Sequence, residues 1–446
     1  MTTIDREQTT DTDELVAELR AWLGDNWDGD LTVAEWWERL GTAGWSAPTL
    51  PANAYGRGQS RSDAVVVQRE IGAFGAMGGP SGLGLLLAAP TIATHGSQEQ
   101  IDTYVRDIVT GHRAWCQLFS EPGAGSDLAG LTCKAVADGD EWIITGQKVW
   151  TSLGQTADLG MLLARTDPDA PKHRGITWFA LDMHQPGVEL RPLREMTGHA
   201  MFNEVFLTEA RVSNAAVIGD LNAGWAAANT TLMNERAGLG AGGSGADVTA
   251  MPGTVAGQLE RRAGDFVQAP RAKSSNGDAA KRRRDPIDRS AAGILIGLAR
   301  GNGKAGDLVL RQRLIELHIL GELGRMNNER LKATKAGGGD IPGMANLSKL
   351  AMSQIVRLQR DVGLAILGPM GMLHPYTAEQ KVALDAATGN PILAMITGTA
   401  LYAQAPPIYG GTDQIQRNII GERVLGLPKE PGNDSSVPFS SLPKNG

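Results

Sequence analysis

The sequence predicts an α+β protein in which two helical parts flank a strand-rich middle part. Apolar residues recur at helical spacing early in the chain, form short β-prone runs in the middle, and return to helical spacing later. With 446 residues, 42% of them hydrophobic, the chain is long enough for about two or three domains. We expect an N-terminal helical domain at residues 1–113, a central β domain at 114–222, a C-terminal helical domain at 223–430 and a tail at 431–446.

The N-terminal part contains three segments with the pattern of amphipathic helices. Residues 13–23, 36–40 and 65–74 place large apolar side chains three and four positions apart. A loop rich in proline and glycine at residues 49–62 separates the second segment from the third. These helices are expected to form one layer.

The middle part changes to short β-prone runs bounded by turn residues. Asp138-Gly139-Asp140 and Pro186-Gly187 are typical of the tight turns between neighbouring strands. The runs that predict strands lie at residues 142–144, 161–164, 176–181 and 204–207. This alternation of runs and turns predicts a sheet.

Long helices return in the C-terminal part. They are predicted at residues 308–323, 347–367 and 415–425, the last of them capped near Thr412 or Asp413. Helices of this length pack as a bundle.

Two segments of the C-terminal half predict flexible chain. Residues 249–288 are rich in Gly, Pro, Lys and Arg, include Lys281-Arg282-Arg283-Arg284, and hold too little apolar surface to pack. We read them as an insertion in which the basic run is a solvated loop, with contact to nucleic acid or a partner as the less favoured alternative. The tail at 431–446 has a similar composition.

Composition and charge argue against several classes of function. The chain has 42 Lys and Arg against 49 Asp and Glu, and its net charge of −7 argues against a basic surface for nucleic acid. Its two cysteines, Cys116 and Cys133, and its seven histidines lack metal-ligand spacing, so no metal site is expected. No apolar run approaches the ~18 residues of a membrane span, and the polar first residues lack the pattern of a signal peptide. We expect a cytoplasmic protein without a membrane segment.

One loop, at residues 120–130, has the composition of a ligand-binding turn. Phe119 ends an apolar run, and Gly123 and Gly125 then let the backbone approach a bound group closely. Ser120 and Ser126 add hydroxyl groups, and successive N–H groups in such a turn can bind an anion. An ordinary glycine-rich turn capped by Asp127 is the alternative.

Three motifs resemble those of the acyl-CoA dehydrogenase family. They are Ser-Glu-Pro-Gly-Ala-Gly-Ser-Asp at residues 120–127, Gly-Gln-Lys-Val-Trp-Thr-Ser at 146–152 and Ile-Tyr-Gly-Gly-Thr-Asp-Gln-Ile-Gln-Arg at 408–417. The resemblance implies an N-terminal helical domain, a central β-barrel-like domain and a C-terminal four-helix bundle. It also implies FAD-dependent oxidation of an acyl-CoA thioester to the 2-enoyl-CoA, with electrons passed to an electron-transfer flavoprotein, in a homo- or hetero-oligomeric dimer or tetramer.

The resemblance also indicates which carboxylate acts as the base. Many members of the family carry a Glu after the Tyr of the third motif, where this chain has Gly410, which cannot accept a proton. A minority carry the base in a Glu-Arg pair on an early helix of the C-terminal domain. Glu235 and Arg236 match that pair, so Glu235 is the expected base and Arg236 a supporting residue near the substrate. A surface Glu beside an Arg is the structural alternative.

The remaining site residues are assigned by the same resemblance. Ser126 would lie on the acyl-CoA side, and the N–H of Gly410 would bind the thioester carbonyl. The adjacent glycines at 410 and 411 would form one wall of the pocket for the acyl group. Because neither has a side chain, they widen that wall, which favours a bulky or branched acyl group. The residues assigned to FAD are Phe119, Ser120, Trp150, Ser152, Thr412 and Gln414.

Two departures from the family pattern leave alternatives open. The segment Ala365-Ile366-Leu367-Gly368-Pro369-Met370-Gly371 lacks the Gln that often touches the FAD of a neighbouring subunit. With Gly410, this allows a non-catalytic subunit that completes the FAD site of a hetero-oligomer. An acyl-CoA oxidase, which passes electrons to oxygen, is a further alternative.

Overall fold

A computed structural model describes residues 3–240, 250–267, 290–429, 431 and 436–443. The chain divides into two compact units. The first comprises Met1–Leu193, Ala200–Arg271 and Gly432–Gly446, and the second comprises Arg194–His199 and Ala272–Pro431. The predicted domain boundaries stay a prediction.

Several helices of the first unit begin at residues suited to helix N-termini. Thr32 and Glu35 form a capping box at the start of the helix Val33–Thr42, and Ser60 and Asp63 form another at the start of the helix Arg61–Phe74. The helices are α1 Thr3–Asn26, α2 Val33–Thr42, α3 Arg61–Phe74, α4 Ala89–His95, α5 Gln98–Gln100, α6 Arg106–Val109 and α7 Gly224–Gly240. The apolar faces of α1, α2 and α3 meet in a core around the fully buried Trp36 and Trp37.

The strands of the first unit form one eight-stranded sheet within the described residues. They are β1 Trp115–Leu118, β2 Lys134–Asp138, β3 Glu141–Ser152, β4 Leu159–Arg165, β5 Ile176–Asp182, β6 Val188–Leu193, β7 Phe202–Ser213 and β8 Val217–Ile218. The order is β6-β7-β3-β2-β4-β5-β8, with β1 parallel to β4. Every residue of β4 is buried, which explains its continuous apolar run.

The second unit is helical. Its helices are α8 Ala291–Gly301, α9 Leu308–Ala336, α10 Met344–Leu367, α11 Ala378–Thr388, α12 Leu393–Tyr402 and α13 Asp413–Ile419, and α13 continues into a π-helical turn at Ile420–Val424. Gly363 of α10 faces α12 so closely that a Cβ atom there would lie 2.6 Å from Ile396 Cγ2. The predicted α+β class, with helical, strand-rich and helical parts in that order, is confirmed.

Part of the predicted insertion is packed. In residues 250–267, Leu259 and Arg261 accept backbone hydrogen bonds from Ala34 and Val33 at 2.9 and 2.8 Å, and Ala263 is fully buried. This part is an irregular but anchored segment of the first unit, contrary to the expected flexible chain. The basic run at 281–284 lies outside the described residues.

The described part of the tail is also anchored. The N–H of Phe439 donates to Ala170 O at 3.0 Å, and the Phe439 ring lies 3.8 Å from the guanidinium carbon of Arg165. These contacts correct the expectation of a flexible tail for residues 436–443.

A buried ion pair joins the loop after β1 to strand β3. Lys148 is fully buried, and its Nζ donates to Glu121 Oε1 at 2.8 Å and to Phe119 O at 3.1 Å. Glu121 also accepts from Thr132 N, Thr132 Oγ1 and Cys133 N at 2.7 to 2.9 Å. Burial alone would raise the pKa of Glu121, but Lys148 and the other donors outweigh burial, and the pKa lies below its usual range.

We predict that Lys148→Met destabilises the protein by about 3 to 5 kcal/mol, because it leaves the Glu121 carboxylate buried without its counter-charge. The measurement is the urea dependence of unfolding. Lys134→Met, which replaces an exposed lysine on β2, is the matched control and is expected to stay within about 0.5 kcal/mol of wild type.

The pH dependence follows from the lowered pKa of Glu121. A carboxyl group whose pKa is depressed in the folded protein stabilises the folded state at pH values above the pKa of the unfolded chain, about 4.3. This stabilisation is lost as the pH falls through the pKa of the folded state.

Equal stabilities for Lys148→Met and Lys134→Met at neutral pH would contradict the role of the ion pair.

Candidate active site

Trp150 stands out in the first unit because its backbone is left-handed and its side chain is exposed. The pairing of β3 with β7 shifts register between Lys148 and Thr151, which marks a bulge at this point. Trp150 has φ of 61° and 61% of its surface exposed, and its ring meets Phe202 edge to face with centroids 5.9 Å apart. Such a conformation costs a bulky residue about 1 to 3 kcal/mol, and strain of this kind concentrates at functional sites.

The bulge brings two predicted cofactor segments together. The N–H of Val149 donates to Ser120 O at 2.9 Å, which places Phe119 and Ser120 beside the end of β3 that carries Trp150 and Ser152. Phe119 is buried, whereas both serines are half-buried.

These residues fit a planar ring with a polar edge. An indole held in a fixed backbone and open to solvent provides a stacking face, and the half-buried Ser120 and Ser152 lie on the neighbouring stretches of chain. The Oγ1 atom of Thr151 is buried and has no hydrogen-bond partner within the described part of the chain. The donor set and the exposed ring therefore suit the flavin that the resemblance implies.

Ser126 lies exposed on the loop that follows Ser120. Its neighbour Asp127 pairs with Lys172 Nζ at 3.1 Å and makes no side-chain capping bond to the short helical turn that follows. The side-chain cap by Asp127 that the alternative interpretation expected is therefore absent from this turn.

Glu235 lies on α7, which is fixed to α4 by hydroxyl contacts. The Oγ1 atoms of Thr91 and Thr231 are 2.9 Å apart, and His95 Nε2 lies 2.8 Å from Thr230 Oγ1. Burial lowers the pKa of His95, which favours the neutral ring in this contact. The hydroxyl contacts thus hold the helix that carries Glu235 on the first unit.

The carboxylate of Glu235 faces strand β1. It is half-buried, and its Oε2 accepts from Gln117 Nε2 at 3.4 Å. Gln117 is the one residue of β1 that is not fully buried. Arg236 lies on the same helix, but its side chain falls outside the described part of the structure.

The remaining predicted residues lie in the second unit, at the start of α13. Gly410 and Gly411 have φ of 61° and 82°, a left-handed pair that side chains disfavour. Thr412 caps α13 by accepting from Ile415 N at 3.2 Å, and Gln414 is exposed. The predicted cap is confirmed.

A buried charge cluster fixes this helix start. Asp413 pairs with Lys349 and Arg357, each at 3.2 Å. Burial lowers the pKa of Lys349, and Asp413 opposes that effect.

Sequence reasoning missed Glu121, Lys148 and Gln117. Glu121 and Lys148 lie inside the recognised motifs, but their pairing depends on a contact across the sheet. Gln117 was detectable as the lone polar residue in the apolar run Trp115–Phe119.

Other kinds of site find no support in the described residues. They contain no group of three or more His, Cys, Asp or Glu residues that could hold a metal ion. Burial raises the pKa of Cys116 to about 12 and that of Cys133 to about 11, so neither thiol forms the reactive thiolate at neutral pH. None of the described helices is both long and apolar enough to cross a membrane.

Comparison with known proteins agrees with the three motifs. Residues 11–112, 116–210 and 298–425 match the N-terminal, middle and C-terminal domains of acyl-CoA dehydrogenases. The chain is 30% identical over 440 residues to acyl-CoA dehydrogenase IpdE1 of Mycobacterium tuberculosis, covering 94% of this chain and 99% of that protein. It is 35% identical over 394 residues to acyl-CoA dehydrogenase FadE34 of the same organism, covering 87% of this chain. It spans about half, 46%, of the length of FadE34.

A solved structure described as the Tcur3481-Tcur3483 steroid ACAD has the same fold. The TM-score is 0.65 at 25% sequence identity, over 94% of this chain and 98% of that one. Together with the match to IpdE1 along nearly its whole length, these results show that the chain belongs to the acyl-CoA dehydrogenase family, whose members are FAD-binding flavoproteins.

Proposed function

We propose that this protein oxidises an acyl-CoA thioester between Cα and Cβ to the 2-enoyl-CoA. The observation that carries the proposal is the bulge at Trp150, a strained and exposed aromatic residue beside Ser120 and Ser152. The same unit holds the half-buried carboxylate of Glu235. The reaction requires a base for the Cα proton and a hydride acceptor beside Cβ, and this unit offers a carboxylate for the first task and an aromatic face to hold the flavin that performs the second.

Each protein group has a defined task in this proposal. Glu235 removes the Cα proton, and Gln117 donates to its carboxylate and holds it in place. The N–H of Gly410 binds the thioester oxygen and stabilises the negative charge that develops there. FAD, when bound, supplies the acceptor of the hydride that leaves Cβ. Trp150 and Ser152 hold its ring, while Thr412 and Gln414 contact the rest of the cofactor.

A bulky acyl group is the proposed substrate class. Gly410 and Gly411 leave the backbone bare where other residues would add side chains. The solved structure with the same fold is described as a steroid ACAD, which supports a ring-bearing acyl group as the substrate class proposed here. We therefore assign this protein to acyl-CoA thioesters with branched or ring-bearing acyl chains.

The proposed electron acceptor is an electron-transfer flavoprotein, as in the family, and the proposed assembly is an oligomer. One similar structure carries two protein names in its description, which supports a hetero-oligomer.

The alternative of a non-catalytic subunit differs in one measurable property, since a chain that only completes the FAD site of its partner binds no flavin when expressed alone. Oxygen consumption and peroxide release with acyl-CoA would identify an oxidase instead.

We predict that Glu235→Gln strongly slows bleaching of the flavin by acyl-CoA while flavin stays bound. Removing a general base lowers the rate about 10²- to 10⁴-fold, and glutamine keeps the size of the side chain. The measurement is anaerobic reduction of the flavin spectrum by a panel of acyl-CoAs. Glu99→Gln, at an exposed position of α5, is the matched control and is expected to bleach like wild type.

Bleaching of Glu235→Gln at the wild-type rate would rule out Glu235 as the base. Flavin that no acyl-CoA reduces in the wild type would count against the dehydrogenase. Protein without flavin when purified alone would favour the subunit alternative.

We predict that Gly410→Asn slows the oxidation of ring-bearing acyl-CoAs about 10-fold more than that of straight-chain acyl-CoAs. Asparagine tolerates a left-handed backbone better than other side chains and keeps the N–H, so the variant narrows the wall with little change to the turn. Gly410→Val, which cannot adopt φ of 61° without strain, is expected to slow both substrates. The measurement is kcat/KM on both classes, and equal rates on both for wild type and Gly410→Asn would refute the proposed preference.

A further inference from the structure

A buried side chain that the motifs left unassigned holds the turn at Gly410 and Gly411. Gln416 of α13 is 1% exposed, and its Nε2 donates to Gly410 O at 2.9 Å and lies 3.4 Å from Gly411 O. Its Oε1 accepts from Asn346 Nδ2 at 2.6 Å. The amide of Gln416 therefore bridges α10 and the turn within the second unit.

The orientation of this amide follows from the chemistry of its partners. A backbone carbonyl can only accept, so the atom of Gln416 that faces Gly410 must be its NH₂ group. Oε1 then faces Asn346, which must present its own NH₂ group. The network is directional, because Asn346 donates to Gln416 and Gln416 donates to the turn.

Holding these carbonyls also directs the neighbouring N–H groups. In a trans peptide the C=O and N–H groups point in opposite directions. Contact between Gln416 and the carbonyls of Gly410 and Gly411 therefore turns the N–H groups of Gly411 and Thr412 away from Gln416. Among the described residues, the N–H groups of Gly410, Gly411 and Thr412 donate to no protein acceptor, so all three remain available for a ligand.

The fit between Gln416 and the turn is tight. A Cβ atom on Gly411 would lie 2.6 Å from Gln416 Nε2, so the amide fits only against bare backbone. On either side of the glycines, Tyr409 N donates to Ala405 O and Asp413 N donates to Pro407 O. The side chain of Gln416 thus closes a turn whose ends are already fixed.

We propose that Gln416 is a positioning residue for the acyl-CoA reaction and that Asn346 sets the direction of its amide. The inference rests on the proposed function, in which the N–H of Gly410 binds the thioester oxygen and Thr412 contacts FAD. Gln416 touches neither ligand in this scheme. It holds the carbonyl of Gly410, and with it the residue whose N–H is proposed to bind the thioester oxygen.

Three variants separate direction from packing. Gln416→Met keeps the length of the side chain and removes both hydrogen bonds. Asn346→Asp replaces a donor with an acceptor, which draws the NH₂ group of Gln416 away from Gly410. Asn346→Ala removes one bond and leaves that NH₂ group facing the turn. Gln354→Met, at an exposed position of α10, is the matched control.

Turnover is the first measurement. Gln416→Met and Asn346→Asp are expected to lower kcat about 10- to 100-fold, because a small displacement of an aligned group has that effect. A contact made in the transition state lowers kcat and kcat/KM together. Asn346→Ala is expected to have a smaller effect, and Gln354→Met is expected to match wild type.

Hydrogen exchange of the protein without substrate is the second measurement. The amides of Tyr409 and Asp413 are expected to exchange faster in Gln416→Met and Asn346→Asp than in Asn346→Ala or the control. Thermal unfolding of each variant shows whether the protein is folded, and the comparison is made at equal folded fraction.

The outcomes distinguish this inference from the function on which it rests. If no acyl-CoA reduces the wild type, the proposed function fails, and the exchange measurement still decides whether Gln416 holds the turn. Wild-type turnover and exchange in both Gln416→Met and Asn346→Asp would overturn the positioning role. Equal losses in Asn346→Asp and Asn346→Ala would also overturn it, since only packing would then matter.

Discussion

The buried pair of Lys148 and Glu121 is the interaction on which the segments proposed to bind the cofactor depend. Removing two charges from water is costly, and the cost is offset here because Glu121 accepts four hydrogen bonds and Lys148 also donates to Phe119 O. With that carbonyl fixed, the chain at Phe119 and Ser120 cannot shift relative to β3. The pair therefore sets the geometry of two motifs that lie far apart in the sequence.

That geometry explains how the strain at Trp150 persists. A left-handed tryptophan relaxes unless its neighbours fix the backbone on both sides. Lys148, two positions before Trp150, is fixed by its ion pair with Glu121, and Val149 is held by its bond to Ser120 O. On the other side, Thr151 O accepts from Asn203 Nδ2 at 3.1 Å. The bulge is thus determined by contacts outside the bulge, and the indole is presented in one orientation.

Local sequence patterns predicted the long helices and several of the strands, and the motifs named the candidate site residues, because both kinds of information are local. Thr412 could be predicted as a cap from its hydroxyl and its place before the apolar helix face. The bulge at Trp150 could not, since it depends on the register of β3 against β7. The pairing of Gln117 with Glu235 joins residues 118 positions apart, and no local pattern encodes it. The sequence of residues 250–267 likewise resembles that of a free loop. Their backbone hydrogen-bond partners lie in the N-terminal part of the chain, which no local pattern reveals.

In the proposed reaction, glycine at position 410 separates two tasks that a glutamate at this position would combine in one residue. A glutamate there would supply both a backbone N–H and a carboxylate, whereas Gly410 supplies only the N–H and adopts φ of 61° without a side-chain penalty. The proposed base lies instead on α7 and is fixed by Gln117 and the Thr91–Thr231 contact. The turn has its own support in Gln416 and Asn346. Because the two networks share none of these residues, a change in the turn at Gly410 is expected to leave the contacts of the Glu235 carboxylate in place.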